Sequence, residues 1–201
     1  QGEDACLASL VPELPLESAD SEKSLLVVGA LADVVEDQFR RLFDSLGIGP
    51  VAFLPPRRSS ELPAVGPHTR YLLAQPFLGD TARALEERGA KRLDAPFPLG
   101  AEGTTAWLRA AADAWGIDAD RFEAVVEAPR TRARKALEPH RFRLANKRIF
   151  FFPDSQLEIP LARCVASELG MNPLEVGTPY LHREYLGSEL AQLRSDIVLS
   201  E

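Results

Sequence analysis

One stretch of this chain, Lys147 to Leu181, limits the possible fold more than any other. Its sequence, KRIFFFPDSQLEIPLARCVASELGMNPLEVGTPYL, reads as strand, helix, strand. Basic residues lead into the apolar run Ile149-Phe150-Phe151-Phe152, which stops at Pro153-Asp154. Leu157, Leu161, Cys164, Val165 and Leu169 follow at helical spacing, and Gly170 ends the helix. A second short apolar run closes at Gly177-Thr178-Pro179-Tyr180. Two strands joined by one crossover helix predict a parallel pair, and such sheets keep their chemistry at the carboxyl ends of the strands. Here those ends are Pro153-Asp154 and Gly177-Thr178-Pro179-Tyr180.

The same alternation runs back toward the start. Leu25-Leu26-Val27-Val28-Gly29 is a continuous apolar run of the buried parallel type. Val34, Val35, Phe39, Leu42, Phe43 and Leu46 line one side of the next helix, and Gly47 ends it. Val51 to Leu54 predicts a strand, Pro55 to Pro67 a loop with one short helical turn, Tyr71 to Ala74 a strand and Leu78 to Arg88 a helix. Lys91-Arg92-Leu93 is a short strand running into Ala95-Pro96-Phe97-Pro98-Leu99-Gly100. Thr104 or Thr105 is the expected cap of a helix through Trp115. Asp118 to about Asn146 predicts a polar helix, broken at Pro139, that links two domains.

Two hundred and one residues, 45% of them hydrophobic, suffice for one large core or two modest ones; the charged stretch near residues 118 to 148 favours two. A net charge of -7 argues against a nucleic-acid surface, which needs a dominant basic face. The two cysteines, Cys6 and Cys164, lie far apart in helical patterns, so a disulfide framework is not expected and a cytoplasmic location is. No apolar run approaches the roughly 18 residues of a membrane span. The chain opens on Gln1 and closes on the strand-like Asp196-Ile197-Val198-Leu199-Ser200-Glu201, the expectation for the middle of a longer polypeptide.

The familiar catalytic signatures are missing. Gly29-Ala30-Leu31-Ala32-Asp33 lacks the glycines that let a pyrophosphate approach the backbone, and there is no Walker loop. His68, His140 and His182 have no metal-ligand spacing with one another or with the cysteines, and read as surface residues. Cys164 sits on an apolar helix stripe and reads as core packing; Cys6 alone cannot hold an iron–sulfur cluster. Arg130, Arg132, Arg134, Lys135, Arg141, Arg143, Lys147 and Arg148 form a basic stripe that reads first as a solvated helix face. What remains is at the strand ends: Gln75-Pro76-Phe77, Phe97-Pro98-Leu99-Gly100 and Thr178-Pro179-Tyr180. Either these are ordinary strand-to-helix turns, or they line an apolar cavity for a large flat hydrophobic ligand. From the residues alone the chain is a two-domain α/β protein of unknown ligand.

PDSQLEIPLAR with GTPYLHRE, together with LLVVGALADVVEDQFRRLFDSLGI and APFPLGAEGTTAWLRAAADAWGI, resembles the N subunits of light-independent protochlorophyllide reductases, in the family of the nitrogenase molybdenum–iron protein. The resemblance covers essentially the whole chain. It implies two Rossmann-like parallel-sheet domains of a nitrogenase component 1-like three-domain subunit. Residues 1–145 would form the middle domain with its linking helices and residues 146–201 the start of a second. A cluster-binding amino-terminal domain would lie upstream.

The implied activity is ATP-dependent, ferredoxin-driven reduction of the ring D C17=C18 double bond of protochlorophyllide to chlorophyllide in (bacterio)chlorophyll synthesis. The implied partners are a B subunit, in a heterotetramer, and a transient ATP-binding L-subunit homodimer. The implied cofactor is a 4Fe-4S cluster held by three cysteines upstream of Gln1 and an aspartate of the B subunit; neither Cys6 nor Cys164 matches them. Where nitrogenase relatives place a cofactor-ligating cysteine after the strand, this chain reads Ala74-Gln75-Pro76-Phe77. Gln75, Phe77, Phe97, Leu99 and Tyr180 are therefore the expected walls of a tetrapyrrole cavity, with no catalytic or metal-ligating residue expected in this chain. A chlorophyllide reductase subunit and a non-catalytic cofactor-assembly scaffold are the alternatives.

Overall fold

The computed structural model describes residues 2–201. It divides them into two compact units, one made of residues up to 94 with 109–125, the other of 95–108 with 126–201. All strand pairs in both units are parallel.

In the first unit, α1 (Gly2–Leu10) precedes β1 (Ser24–Val28), α2 (Asp33–Leu46), β2 (Val51–Leu54), β3 (Thr69–Leu73), α3 (Gly79–Glu87) and β4 (Lys91–Arg92). The strands order as β2-β1-β3-β4. In the centre of the sheet, Leu25, Leu26, Val27 and Val28 are buried on both faces, which is why this strand reads as an unbroken apolar run. Helix α2 buries Phe39, Phe43 and Leu46, whereas Val34 and Val35, expected on the same side, are exposed. Gly47 ends it in the left-handed region at φ 77, and Ile48 N–H donates to Phe43 O at 2.9 Å, a Schellman closure. The start of α3 is held by Asp4, whose Oδ1 accepts from Thr81 N at 2.9 Å and whose Oδ2 accepts from Asp80 N at 3.1 Å.

In the second unit, β5 (Arg148–Phe151), α6 (Glu158–Leu169), β6 (Asn172–Gly177), α7 (Arg183–Leu190) and β7 (Val198–Ser200) build a sheet of order β5-β6-β7. The crossover expected between the two apolar runs is present as α6, ended by Gly170 at φ 67. The two remaining helices, α4 (Gly100–Trp115) and α5 (Ala119–Leu144), contribute residues to both units. The four-stranded sheet precedes residue 145 and the three-stranded one follows it, but 95–108 group with the later residues.

Three further local expectations are corrected. Helix α5 runs unbroken through Pro129 and Pro139. At Pro139 the carbonyl that loses its donor belongs to Lys135, which is exposed and able to bond water instead. Helix α4 begins at Gly100, ahead of the expected cap; Thr105 Oγ1 instead donates back to Ala101 O at 2.7 Å. The most buried face of α6 is Glu158, Ile159, Ala162 and Arg163, while Leu157, Leu161, Cys164, Val165 and Leu169 are only half-buried.

Candidate functional site

The strand order of the first unit sets a topological switch point. The chain passes from β2 on one side of β1 to β3 on the other, so the carboxyl ends of β1 and β3 flank the place where such sheets receive ligands. Gly29 follows β1 at φ +129, and a Cβ there would lie 3.2 Å from Gln75 Oε1 and 3.3 Å from Leu78 Cδ1. Ala30 is gripped twice: its N–H donates to Glu3 Oε1 at 2.7 Å, and its carbonyl accepts from Gln75 Nε2 at 3.0 Å. That N–H would otherwise be the natural donor to a phosphate at this position. Gln75 Oε1 is buried with no hydrogen-bond partner. The switch point thus offers an unused acceptor at Gln75, with Phe77 half-buried two residues on.

In the second unit, β5 and β6 end side by side. Gly177 permits it: a Cβ there would lie 2.7 Å from Pro153 Cδ and 3.1 Å from Phe151 O. The turn out of β5 is closed by Glu158, whose Oε1 accepts from the N–H groups of Asp154 at 2.9 Å and Ser155 at 2.6 Å. After β6, Thr178 is buried and its hydroxyl donates to Tyr180 O at 3.1 Å. Tyr180 is 46% exposed and stacks on His182 with ring centroids 5.9 Å apart.

The remaining expected wall residues meet a group of charges that the sequence patterns do not reveal. Arg163 and Glu189 form an ion pair at 2.6 Å, with side chains only 2% and 0% exposed. Arg163 Nη2 also donates to Phe97 O at 3.0 Å and Leu99 O at 3.2 Å, and Glu189 Oε1 accepts from Phe97 N at 2.6 Å. One helical turn on from Cys164, Glu168 accepts from Ala101 N at 2.8 Å and Glu102 N at 3.0 Å, capping α4. Phe97 and Leu99 are therefore brought together by one guanidinium, and Leu99 N closes a tight turn onto Phe97 O at 2.7 Å. The Phe97 side chain is buried and Leu99 half-buried. Gln75 and Phe77 belong to the first unit; Phe97, Leu99 and Tyr180 belong to the second. Arg163, Glu168 and Glu189 escaped the sequence reading because each lies among apolar helix neighbours, where a charge looks like an interruption. A charge inside a hydrophobic stripe is the one signal that would have found them.

Other candidates carry less. A cleft of about 480 Å³ in the second unit is lined by charges of both signs, among them Glu102, Arg134, Lys135, Glu138, Arg141 and Glu168, and by none of the expected walls. Arg134 is already paired with Glu102 at 2.5 Å, and Arg130 with Glu127. Arg132, Lys135, Arg141, Arg143, Lys147 and Arg148 are exposed. Among the described residues no group of three or more His, Cys, Asp or Glu side chains is arranged to hold a metal. Cys6 is exposed. Burial pushes the Cys164 thiol above its ordinary value, and the Glu168 carboxylate adds to the shift, so it does not offer a ready thiolate. Neither cysteine fits an iron–sulfur cluster. No described helix is long and apolar enough to cross a membrane.

Comparison with known proteins gives the following likenesses. A family model described as nitrogenase component 1 type oxidoreductase matches residues 1–199. The N subunit of the light-independent protochlorophyllide reductase of Rhodopseudomonas palustris strain BisB5 is 66% identical over 201 residues, covering 100% of this chain. The same polypeptide of Bradyrhizobium sp. strain ORS 278 is 65% identical over the same span. The chain spans about half, 47%, of the length of these curated relatives. In three dimensions it is similar to a nitrogenase structure, Cp1 at pH 6.5, with a TM-score of 0.65 and 18% identity, over 98% of this chain and 49% of that one. That likeness shows the fold, an α/β arrangement with parallel sheets.

Proposed function

The chain belongs to the nitrogenase component 1 type oxidoreductase family, and from that premise we propose that it is part of the N subunit of a light-independent protochlorophyllide reductase. The observation that carries this reading is 66% identity over all 201 residues to proteins of that name. The overall reaction would be reduction of the ring D C17=C18 double bond of protochlorophyllide to chlorophyllide. Electrons would come from ferredoxin through an ATP-dependent L-subunit homodimer, with the N subunit paired to a B subunit in a heterotetramer in the cytoplasm.

The 4Fe-4S cluster of this scheme has no fit to Cys6 or Cys164, so its ligands are assigned to other parts of the full-length protein and to its B partner. The role left for this chain is to bind and orient the pigment and to keep water from it. Gln75 and Phe77 are the wall candidates of the first unit; the switch-point position and the unused Gln75 acceptor support them. In the second unit the candidates are the buried Phe97, the half-buried Leu99 and the exposed ring of Tyr180.

The test is anaerobic turnover by the full-length protein co-expressed with its B partner and supplied with L subunit, ATP, dithionite and protochlorophyllide. ATP-dependent conversion of the absorption spectrum to that of chlorophyllide is the expected result. Pigment that binds without being reduced would transfer the assignment to a chlorophyllide reductase subunit or to an assembly scaffold.

A further inference from the structure

We propose that Arg163, Glu168 and Glu189 are positioning residues for the 97–102 turn, holding its backbone so that Leu99 meets the tetrapyrrole in a single geometry. This deepens the pigment-wall reading above and rests on it. Three charged side chains from α6 and α7 hold five backbone groups within six residues: Phe97 N, Phe97 O, Leu99 O, Ala101 N and Glu102 N. Two glycines make room for them. A Cβ at Gly103 would collide with Arg163 Nη2 and lie 2.6 Å from Phe97 O. Gly100 sits at φ +74, where a Cβ would overlap Glu168 Oε1. The side chains, the backbone groups and the space left by both glycines therefore form one built device.

The attraction within the ion pair is a poor reason for such a device. A buried ion pair is commonly no more stabilising than apolar side chains of the same volume, because desolvation offsets the attraction. What the charges add is geometry. A guanidinium offers donors in a rigid planar fork, and here that fork reaches Glu189 and two carbonyls at once. The turn it grips is already tight, with Leu99 N on Phe97 O at 2.7 Å. Phe97 is anchored inward and Leu99 is the side chain left half-exposed. A large flat ligand has few polar handles, so its orientation depends on how well its apolar walls are fixed before it arrives.

The experiment uses the full-length protein with its B and L partners. Protochlorophyllide is titrated by absorbance, the circular dichroism of the bound pigment is recorded, and KM and kcat are measured separately. Arg163→Lys keeps a cation beside Glu189 but cannot span both carbonyls. It is expected to raise the KM for pigment about tenfold and to change the bound-pigment circular dichroism, with kcat at saturation within about twofold. Leu99→Ala, on the exposed side of the intact clamp, is expected to reproduce the rise in KM. If Arg163→Lys does not fold, Leu99→Ala decides alone. Wild-type KM and spectrum in either folded variant overturns the positioning role while leaving the reductase reading in place. If the wild-type complex neither binds nor reduces the pigment, both readings fall.

Discussion

Helix α3 in the first unit and α4 in the second begin in the same way, yet their surroundings differ. Asp4, 77 residues away in sequence, caps the first, and Glu168, 67 residues away, caps the second. The interior of the first unit is dominated by aliphatic side chains, with Leu25, Leu26, Val27, Val28, Leu72 and Leu85 essentially fully buried, and among its few buried polar groups are Thr81 and Glu36, the latter paired with the part-exposed Arg57 at 2.6 Å. In the second unit the buried set includes Arg163, Glu168, Glu189 and Glu158 together with Phe97, Trp107 and Ile159. An aliphatic core is non-directional and accepts any shape of the right volume. A core containing charges is directional, and it defines one arrangement of the backbone groups that satisfy those charges.

The contrast is broken most severely at the ion pair. Arg163→Met strands a buried Glu189 and is expected to cost about 4 kcal/mol. Chemical unfolding followed by far-ultraviolet circular dichroism, compared with the wild type, checks this. The double variant Arg163→Met with Glu189→Leu sharpens the point. If the pair were ordinary core filling, it would be near neutral. Because Phe97 N and two carbonyls also lose partners, about 2–3 kcal/mol should remain lost.

In the aliphatic unit, Leu26→Ala is expected to cost about 3 kcal/mol through the cavity it leaves, while Leu26→Met should stay under about 1.5 kcal/mol. Thermal unfolding of both variants would show that tolerance to shape, and an equal loss for both would remove the distinction. Smaller again, Asp4→Asn and Glu168→Gln each weaken a helix cap by about 1 kcal/mol. The two losses should be similar, since capping is the feature the units share.

The smallest effect is at Cys164, whose thiol is pushed up by burial. A group with a raised folded-state value contributes its stability fully below the unfolded thiol value, about 8.5, and loses it as pH rises through the folded value. Thiol titration of the folded chain at pH 8 should therefore show Cys6 reacting quickly and Cys164 slowly. Equal rates would show that the second unit does not shield its interior.

The sheets were readable in advance because their signals are local. Leu25 to Val28 announces a buried strand and Ile149 to Phe152 another strand, although Phe150 and Phe152 prove exposed, and Gly47 and Gly170 mark helix ends that require the left-handed region. The Gln75-Pro76-Phe77 and Thr178-Pro179-Tyr180 turns were likewise visible as strand ends. The start of α4 departs from the sequence pattern because its cap is Glu168, not a neighbouring threonine. Pro139 does not break α5 because the exposed backbone there has water to bond instead.

The sequence by itself therefore determined the alternation of strand and helix, the parallel crossover and the family resemblance, all of which depend on residues a few positions apart. Only the tertiary structure decided that Arg163 and Glu189 point inward, that Glu168 caps α4 and that Phe97 is buried while Leu99 is half-exposed. The physical reason is that apolar periodicity accumulates along a helix or strand, whereas burying a charge is favourable only when a partner is already there. Those partners lie 26 to 67 residues away in this chain.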